Sequence, residues 1–419
     1  MQDSSLKNQK IKAIVVGGGI AGCSTAYALA KRGIAVTLIE RHTAIAQEAS
    51  GNPVSMLYPK FSAGTNILST IASHGFTFTL ALLKALNNQQ SNDSNDSNVL
   101  FQLCGQIQLA FNQREQEKQQ QLLDSTQQHT SLQLLSATEA SQRANIALPS
   151  GGLYLPESGW VKPMLFCEAL LKPIFNSAPI TRLVSTEAIE IQYGADWIVS
   201  LANKQSMSAN IVVLCNANEL LQFEHCKNIP ITPVRGQINF FKATTASQAI
   251  QPVICSDHYL SPAVDGTHSI GTSYAPNDLN PALSAEDTRS NLQALKKISL
   301  SLFDRLDLSE VTGRVAWRSA TRDYMPLAGQ LIDEAVLRKS PPRYNDKPCD
   351  LPWIKGLYVN AGHGSKGMIT APLCGELIAS LIADEPLPLA SSIASQLNPS
   401  RFLLRDTGLK QMAQYLYGV

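Results

Sequence analysis

The first forty residues of the chain contain two short apolar runs separated by a longer Ala-rich segment. The β-branched run from Ile11 to Val16 is typical of a buried parallel strand, and it leads directly into the sequence GGGIAG. The segment from Ala21 to Lys31 predicts a helix, and Ile34 to Ile39 predicts a second buried strand that ends at Glu40. The pattern is therefore strand, glycine-rich turn, helix and strand.

Each of the three defining positions of this GxGxxG turn requires glycine for a steric reason. Gly17 permits the tight turn, Gly19 lets backbone approach a pyrophosphate, and Gly22 lets helix and strand pack closely. Glu40 follows where a carboxylate can accept hydrogen bonds from ribose hydroxyls. Glycine-rich turns also occur for steric reasons alone, but the agreement of all four elements favours a dinucleotide site. These residues leave NAD and FAD both open.

Past Glu40, the pattern alternates between helix and loop. The segment from Leu68 to Leu86 predicts a helix, whereas Asn87 to Asn98 is low-complexity and polar, which indicates a flexible surface loop. Phe101 to Phe111 alternates like a strand, and the Gln/Glu-rich stretch after it predicts an exposed helix.

Strand patterns dominate the middle of the chain, after a helix predicted to begin near Pro163. The predicted elements are strands at Ile180–Val184, Glu187–Tyr193, Trp197–Leu201 and Ala209–Leu214, further strands from Pro233, a helix at about Glu286–Phe303, and a last strand, glycine turn and helix within 353–382. We therefore predict an α/β chain in which a discontinuous Rossmann-like domain (1–85, 150–232 and 312–419) contains an inserted, mainly antiparallel β-sheet substrate domain (86–149 and 233–311).

Composition restricts the classes of function. With 419 residues, 44% of them apolar, the chain can bury a large core, and its net charge of +1 neither requires nor excludes a polyanionic partner. The eight cysteines show no CxxC pair and no Cys/His cluster with metal-ligand spacing, so we predict reduced thiols and no metal. No signal peptide or membrane span is indicated, and a soluble cytoplasmic protein is expected.

Five further motifs resemble the D-amino-acid oxidase/glycine oxidase superfamily of FAD-dependent enzymes over nearly the whole chain. They are ASGN…LYP at 49–59, GW…P at 159–163, PVRGQ at 233–237, RSATRDYMPLAG at 318–329 and GHGSKG at 362–367. Within that superfamily, ASGNPVSMLYP, ATRDYMP, APLCGELIA and LNPSRF most resemble the oxidoreductase half of the MnmC family of bifunctional tRNA-modification proteins. The chain departs from the family in having Ser55 where Gly is usual, and it carries no methyltransferase half, which leaves open a stand-alone enzyme or an excised domain.

The resemblance implies a D-amino-acid oxidase-like fold, FAD as the cofactor, and removal of the carboxymethyl group from 5-carboxymethylaminomethyl-uridine at the tRNA wobble position. It implies tRNA as partner, with a methyltransferase domain or protein as a possible second one. The cofactor contacts predicted from the sequence and the resemblance together are Gly17, Gly19, Ile20, Ala21, Gly22, Glu40, Arg41, Ser50, Gly51, Asn52, Arg235, Gly236, Gly362, His363, Gly364, Ser365, Lys366 and Gly367.

Three residues carry the predicted catalytic roles. Arg318 matches the superfamily's carboxylate-binding arginine, whose planar fork suits the substrate carboxylate; the alternative is a salt bridge with Asp323 or another acid. Tyr259 matches a tyrosine that adds a hydrogen bond, or is an ordinary strand aromatic. Lys366 adds charge near the flavin ring, or faces solvent.

Two of the predicted cofactor residues also have open alternatives. His363 contacts the ligand or is a turn residue, and Arg235 lies beside the flavin or is an edge-strand arginine paired to an acid.

Three function classes remain to be compared. The first is an FAD enzyme acting on a modified tRNA base, the second an oxidase of free glycine, sarcosine or D-amino acids, and the third a non-catalytic flavoprotein. A tRNA enzyme needs cations for phosphates, and the candidates are Lys339, Arg343, Lys347, Arg401, Arg405 and Lys410. Arg318 and GHGSKG argue against the third class, because a scaffold has no use for a carboxylate clamp.

Overall fold

The computed structural model describes residues 11–59, 61, 66–90, 99–125, 132–173, 176–343 and 346–418. Its α-helices are α1 (Ile20–Lys31), α2 (Ile67–Gln90), α3 (Gln113–Ser125), α4 (Ala137–Ala144), α5 (Pro163–Leu170), α6 (Ala285–Ile298), α7 (Leu300–Phe303), α8 (Glu334–Lys339), α9 (Gly367–Ala383), α10 (Ser391–Leu397) and α11 (Arg401–Asp406). Its strands are β1 (Lys12–Val16), β2 (Ala35–Ile39), β3 (Ser55–Leu57), β4 (Phe101–Gln102), β5 (Gln106–Leu109), β6 (Gln133–Leu135), β7 (Gly152–Leu155), β8 (Gly159–Val161), β9 (Ile180–Leu183), β10 (Ala188–Tyr193), β11 (Trp197–Leu201), β12 (Ser206–Ala209), β13 (Ile211–Leu214), β14 (Ile231–Lys242), β15 (Val253–Cys255), β16 (Tyr259–Leu260), β17 (Thr267–Gly271), β18 (Ala275–Pro276), β19 (Thr312–Thr321), β20 (Leu327–Ile332) and β21 (Trp353–Ala361).

The chain divides into two compact units, each assembled from separate segments. The first unit runs to Ser50 and includes Cys167–Thr232 and Ser319–Val419, and the second comprises Gly51–Phe166 and Pro233–Arg318. The sequence-based division placed 51–85, 150–166 and 312–318 with the nucleotide domain, whereas they belong to the second unit. The local sequence pattern could not assign these segments to the second unit. Their membership depends on pairing between strands that are far apart in the sequence, namely β3 with β8 and β5 with β7.

A six-stranded sheet forms the centre of the first unit, in the order β20-β21-β13-β1-β2-β9. Strands β21, β13, β1, β2 and β9 run parallel, and only β20 at the edge is antiparallel to its neighbour. The β-branched runs predicted as buried strands occupy the middle, where both faces are covered. A separate three-stranded sheet, β10-β11-β12, packs Trp197 into the same core.

The second unit contains a nine-stranded sheet whose main path is β18-β14-β17-β16-β15-β5-β7-β6, with β19 paired to β14. Neighbouring strands along this path run antiparallel, except for β15 and β5, which run parallel. Helix α6 packs against this sheet through Leu295 and Ile298, which join Phe241 and Ile270 in one buried cluster. A short sheet, β3-β8-β4, lies in the same unit.

Several predicted elements differ in extent from the observed ones. Helix α2 continues to Gln90, into the low-complexity segment, and 91–98 lie outside the described residues. The strand predicted at 101–111 is divided into β4 and β5, because Gly105 adopts φ +81°. The helix predicted to reach Phe303 is interrupted at Ser299, whose extended backbone ends α6 and whose side chain caps α7.

Two described helical segments, Ile67–Asn88 and Gly364–Ala383, are long and apolar enough to cross a membrane by length and composition alone. The sequence analysis predicted no span, because no uninterrupted apolar run approaches 18 residues. In the second segment 67% of the apolar window is buried in the protein, as expected for a core helix. Such segments are weak indications of a membrane protein, since core helices of soluble proteins have the same character.

Candidate cofactor and substrate sites

The glycine turn after β1 is closed by contacts that exclude side chains. Gly17 adopts φ +106°, and a Cβ added there would lie 2.8 Å from the carbonyl oxygen of Cys215. A Cβ on Gly22 would lie 1.8 Å from the carbonyl oxygen of Gly17. Both distances are shorter than real contacts, so only glycine allows α1 to begin this close to the sheet.

The N-terminus of α1 is left available for an anion. Gly19 is the N-cap and supplies no side-chain cap, and the first turn contains no acidic residue. The Ile20 amide donates to Ser50 Oγ at 3.0 Å, while Ala21 continues the turn of backbone donors. Positive helix-dipole charge and free backbone N–H groups together favour a phosphate at this position.

Glu40 is oriented by the backbone around it. Its Oε2 accepts from the Gly18 amide at 2.7 Å and its Oε1 accepts from the His42 amide at 2.8 Å. The side chain is nearly buried, which fixes the carboxylate at the end of β2. A carboxylate held this way retains lone pairs for two ribose hydroxyls.

Arg41, another predicted cofactor residue, is half-exposed and pairs with two acids. Its Nη2 lies 2.7 Å from Glu48 Oε1 and 3.2 Å from Glu219 Oε1. Glu48 Oε1 also accepts a hydrogen bond from Nε2 of the His42 ring at 2.8 Å. Arg41 therefore belongs to an ion-pair cluster next to Glu40 in the chain.

A second glycine turn connects β21 to α9. Gly362 adopts φ +70° and Gly364 φ +56°, with open space around an added Cβ only at Gly364. Ser365 is exposed, Lys366 is half-buried and forms the N-cap of α9 without a side-chain cap, and Gly367 begins the helix. The first turn of α9 contains no acid, so this N-terminus also favours negative charge.

His363 is held within a network that joins this turn to α1. Its Nε2 lies 3.0 Å from Asn360 Oδ1 and its Nδ1 lies 2.9 Å from Thr370 Oγ1. The Asn360 amide donates to Thr25 Oγ1 of α1 at 2.9 Å, which leaves Oδ1 as an acceptor and assigns the ring proton to Nε2. Burial lowers the pKa of His363 to about 3, so the imidazole is neutral.

The two glycine turns share one edge of the parallel sheet, since α1 follows β1 and α9 follows β21 at the carboxyl ends of these strands. Helices α1 and α9 pack closely, because a Cβ on Gly375 would lie only 2.9 Å from the Thr25 amide nitrogen. Two uncapped helix N-termini free of acids and one backbone-oriented carboxylate fit an anionic dinucleotide.

Arg318 lies in the second unit, largely withdrawn from water. Its Nη2 donates to Thr272 Oγ1 at 3.0 Å and its Nη1 donates to the Ser273 carbonyl at 3.4 Å. Burial lowers the pKa of Arg318, with Tyr259 and Tyr274 acting in the opposite direction, and among the described residues no carboxylate pairs with it. Asp323 pairs instead with Arg401 and Arg405. A guanidinium in these surroundings lacks a counter-ion.

Tyr259 shares the surroundings of Arg318, and Tyr58 is a neighbour of Tyr259. Burial raises the pKa of Tyr259, while the charge of Arg318 acts in the opposite direction. Burial also raises the pKa of Tyr58 to about 12, and the charge on Cys255 adds to this. Within the part of the chain that the structure describes, neither phenol hydroxyl has a hydrogen-bond partner, so both are available to a ligand.

The remaining predicted cofactor residues lie in the second unit. Gly51 ends a short 3-10 helix, and Asn52 Oδ1 accepts from Arg314 Nη1 at 2.9 Å. Arg235 is fully buried, bonds to the carboxylate of Asp287, and donates to two backbone carbonyls. Gly236 lies beneath the Arg318 guanidinium.

Some residues of these sites were not identified from the sequence. Tyr58 lies inside the quoted LYP motif, and Thr272 and Tyr274 lie in the GTSY stretch that was interpreted only as strand. Asn360 and Thr370 flank GHGSKG and were also missed. The signal for Tyr58 was its place in a family motif, whereas the others depend on distant partners.

The basic residues predicted to contact tRNA phosphates differ in solvent exposure and in their ion pairs. Lys339, Arg343, Lys347 and Lys410 are exposed, but Arg401 is fully buried and Arg405 donates to Asp323 at 3.0 Å. Arg401 is therefore wrong as a surface cation, because Asp323 and backbone carbonyls occupy its donors. In the described segments no group of His, Cys, Asp or Glu could hold a metal ion, and the eight cysteines are free.

Comparison with known proteins gives matches over most of the chain. The sequence profile of the FAD dependent oxidoreductase family matches residues 12–381. The tRNA 5-methylaminomethyl-2-thiouridine biosynthesis bifunctional protein MnmC of Methylobacillus flagellatus is 39% identical over 407 residues, which cover 97% of this chain and 61% of that protein. The protein of the same name from Pseudomonas fluorescens is 41% identical over 410 residues, covering 94% and 59%. This chain thus spans about three fifths of the length of these relatives.

Solved structures of similar fold have lower sequence identity. Glycine oxidase from Geobacillus kaustophilus superposes with a TM-score of 0.75 at 20% identity, covering 93% of this chain and 99% of that one. Iminodiacetate oxidase from a Chelativorans species gives a TM-score of 0.74 at 18% identity, covering 90% and 97%. These matches confirm the predicted D-amino-acid oxidase-like α/β fold class.

Proposed function

This chain belongs to the family of FAD-dependent oxidoreductases, and we propose that it oxidises the carboxymethylaminomethyl group of the wobble uridine in tRNA. Its cofactor is FAD, as the resemblance to the D-amino-acid oxidase/glycine oxidase superfamily implied. In the proposed reaction the C–N bond of the carboxymethylamino group is oxidised and hydrolysed. Glyoxylate leaves, 5-aminomethyluridine remains, and dioxygen takes up the two electrons to give hydrogen peroxide.

The proposal rests mainly on the surroundings of the Arg318 guanidinium. A buried guanidinium without a carboxylate partner, in the described part of the chain, is costly unless a ligand supplies the negative charge. The substrate arm ends in a carboxylate, which matches the planar fork of arginine. Tyr259 offers a hydroxyl donor in the same surroundings, and the hydroxyl of Tyr58 lies near Tyr259.

The protein's task is chiefly to position the substrate and hold the cofactor. Bound FAD supplies a hydride acceptor for the carbon between the amine nitrogen and the carboxylate. Arg318 holds the carboxylate, and Tyr259 donates a hydrogen bond to it. The predicted cofactor residues at 17, 19–22, 40–41, 50–52, 235–236 and 362–367 would hold FAD, and backbone N–H groups of the second glycine turn would stabilise negative charge on the cofactor. Lys366 adds positive charge there.

Similarity to the MnmC proteins supports the choice of tRNA as substrate. Because the chain spans about three fifths of those proteins, the participation of a methyltransferase domain or partner is part of the proposal. Cytoplasmic location without membrane attachment is proposed with it. The exposed cations Lys339, Arg343, Lys347 and Lys410 are the candidate phosphate contacts.

The experiment is to treat tRNA bearing 5-carboxymethylaminomethyl-uridine with the FAD-loaded protein, digest it to nucleosides and measure conversion to 5-aminomethyluridine with release of glyoxylate. Arg318→Ala should retain FAD and slow anaerobic flavin reduction at least about a hundredfold, and Arg318→Lys should lose the bidentate contact while keeping the charge. Equal reduction rates in wild type and Arg318→Ala would contradict the role of Arg318. Reduction by free glycine, sarcosine or D-amino acids but never by the tRNA would favour an amino-acid oxidase instead.

A further inference from the structure

A segment of the second unit, residues 272–284, presents large apolar side chains to solvent beside Arg318. Tyr274 is 58% exposed, Leu279 67% and Leu283 55%. Exposed apolar side chains of this size indicate an interaction surface when the backbone that carries them is fixed. We call residues 272–284 the rim segment.

Buried side chains hold the backbone of the rim segment in place. Arg235 Nε donates to the Asn280 carbonyl at 2.7 Å, and its Nη2 donates to the Ala282 carbonyl at 2.7 Å. Trp317 Nε1 donates to the Asp278 carbonyl, also at 2.7 Å. The buried Arg235 side chain thus holds the backbone of a surface segment in place.

Tyr274 is anchored on both sides within the rim segment. Before it, the Gln237 amide donates to Ser273 Oγ at 2.9 Å, and after it, Ala275 pairs with β14. At the end of the segment, the Ser284 amide donates to Gln237 Oε1 at 2.7 Å. The ring is therefore carried on fixed backbone although more than half of its surface meets solvent.

The Tyr274 ring lies at a distance from Arg318 that fits the proposed substrate. The guanidinium carbon is 6.0 Å from the ring centroid, at the outer limit of a cation–π contact. A carboxylate gripped by Arg318 would lie about 4 Å away, and an extended carboxymethylaminomethyl arm puts the pyrimidine centre roughly 10 Å from the guanidinium carbon. A ring stacked on Tyr274 with centroids about 4.5 Å apart lies within this reach.

We propose that Tyr274 is the stacking platform for the pyrimidine that carries the carboxymethylamino group, a role that rests on the function proposed above. Arg318 then binds the carboxylate, and Tyr274 stacks on the pyrimidine that is joined to it. Stacking does not distinguish one base from another, because every base has an aromatic face. Selection of uracil over other bases therefore requires hydrogen bonds elsewhere in the site. Tyr274 thereby favours a nucleoside-linked glycine over free glycine or sarcosine, which have no ring to stack.

The test compares two ligands that share the carboxymethylamino group and differ in the base. These are the nucleoside 5-carboxymethylaminomethyluridine and N-methylglycine. Binding is measured by calorimetry on dithionite-reduced holoenzyme, which can bind either compound but cannot oxidise it. Tyr274→Ala should weaken nucleoside binding about tenfold and change N-methylglycine binding less than about twofold, whereas Tyr274→Phe should retain nucleoside binding. Leu300→Ala is the matched control, because Leu300 is 54% exposed in the second unit but lies outside the rim segment, and this variant should bind both ligands as wild type does.

Four outcomes would overturn the assignment of Tyr274. Unchanged nucleoside binding in Tyr274→Ala would remove the ring from the binding surface. Equal weakening of both ligands would show that the substitution acts through Arg318, and Tyr274→Phe behaving like Tyr274→Ala would show that the hydroxyl and not the ring is required. If wild type binds N-methylglycine but not the nucleoside, the function proposed above fails together with the assignment. Retention of FAD by each variant, read from its absorbance, verifies that the holoenzyme is intact.

Discussion

Arg318 lies directly against the backbone of Gly236, so that a Cβ added to Gly236 would come within 2.5 Å of Nη1 and 2.7 Å of Nη2. The guanidinium can occupy this place only because residue 236 has no side chain. The glycine of the PVRGQ motif is thus explained by the close approach of the Arg318 guanidinium. Its backbone does not adopt a positive φ.

Gly236→Ala should reproduce the loss of substrate binding expected for Arg318 variants while the protein still folds. The atom that must move is the end of a flexible side chain, so the clash displaces the Arg318 guanidinium more readily than it displaces backbone. We expect anaerobic flavin reduction by the modified tRNA to fall at least about tenfold, with the melting temperature and FAD content nearly unchanged. Gly194→Ala is the control, because its added Cβ meets nothing closer than 3.8 Å. Full activity in Gly236→Ala would mean that the observed position of Arg318 is not needed.

Glu40→Gln should weaken retention of FAD without changing the chemistry. The carboxylate accepts from the Gly18 and His42 amides with different oxygens, whereas glutamine has one accepting oxygen and would turn its NH2 group toward the other backbone N–H donor. We expect the dissociation constant for FAD to rise about tenfold, as measured by titrating apoprotein and following flavin fluorescence. At saturating FAD the rate of flavin reduction should equal that of wild type; a slower rate with normal affinity would contradict a role confined to the ribose.

The sequence predicted the nucleotide-binding end of the fold because its determinants are local. The β-branched runs, the spacing of Gly17, Gly19 and Gly22, and Glu40 all lie within thirty residues, and β1, α1 and β2 form at nearly the predicted positions. The predicted strand at 101–111 was less accurate, because the positive φ of Gly105 interrupts a continuous alternating pattern.

The surroundings of Arg318 could not be predicted in the same way. Whether Arg318 pairs with Asp323 is decided by Arg401, nearly eighty residues farther along, which takes both oxygens of that carboxylate. The partners of Arg235 likewise come from the rim segment and from Asp287 in α6. Motifs identified Arg235 and Arg318 in the sequence. Only the folded chain shows that Arg235 pairs with Asp287 and that Arg318 has no carboxylate partner among the described residues.

Asp323→Asn should destabilise the protein by about 3 kcal/mol, because it leaves the buried Arg401 without its counter-charge. Burial raises the pKa of Asp323, but hydrogen bonds and charge from Arg401 outweigh this and hold the pKa below its usual range. The pair is therefore intact at neutral pH and is lost as the pH falls through that lowered pKa. Thermal unfolding with excess FAD measures the effect. Asp406→Asn, which removes an exposed partner of Arg322, should cost less than about 1 kcal/mol, and equal losses would contradict the difference in burial.

His363 should make stability depend on pH between 7 and 5. Because burial lowers its pKa to about 3, against an ordinary value near 6.5, the unfolded chain binds more protons than the folded protein in this range. Stability is therefore complete above pH 6.5 and declines as the pH falls, by about 2 kcal/mol at pH 5. His363→Gln stays neutral and should lose correspondingly less stability between pH 7 and 5 in thermal unfolding with excess FAD. The exposed His74→Gln is the control and should keep the wild-type pH profile; a wild-type profile in His363→Gln as well would show that the imidazole is not the titrating group.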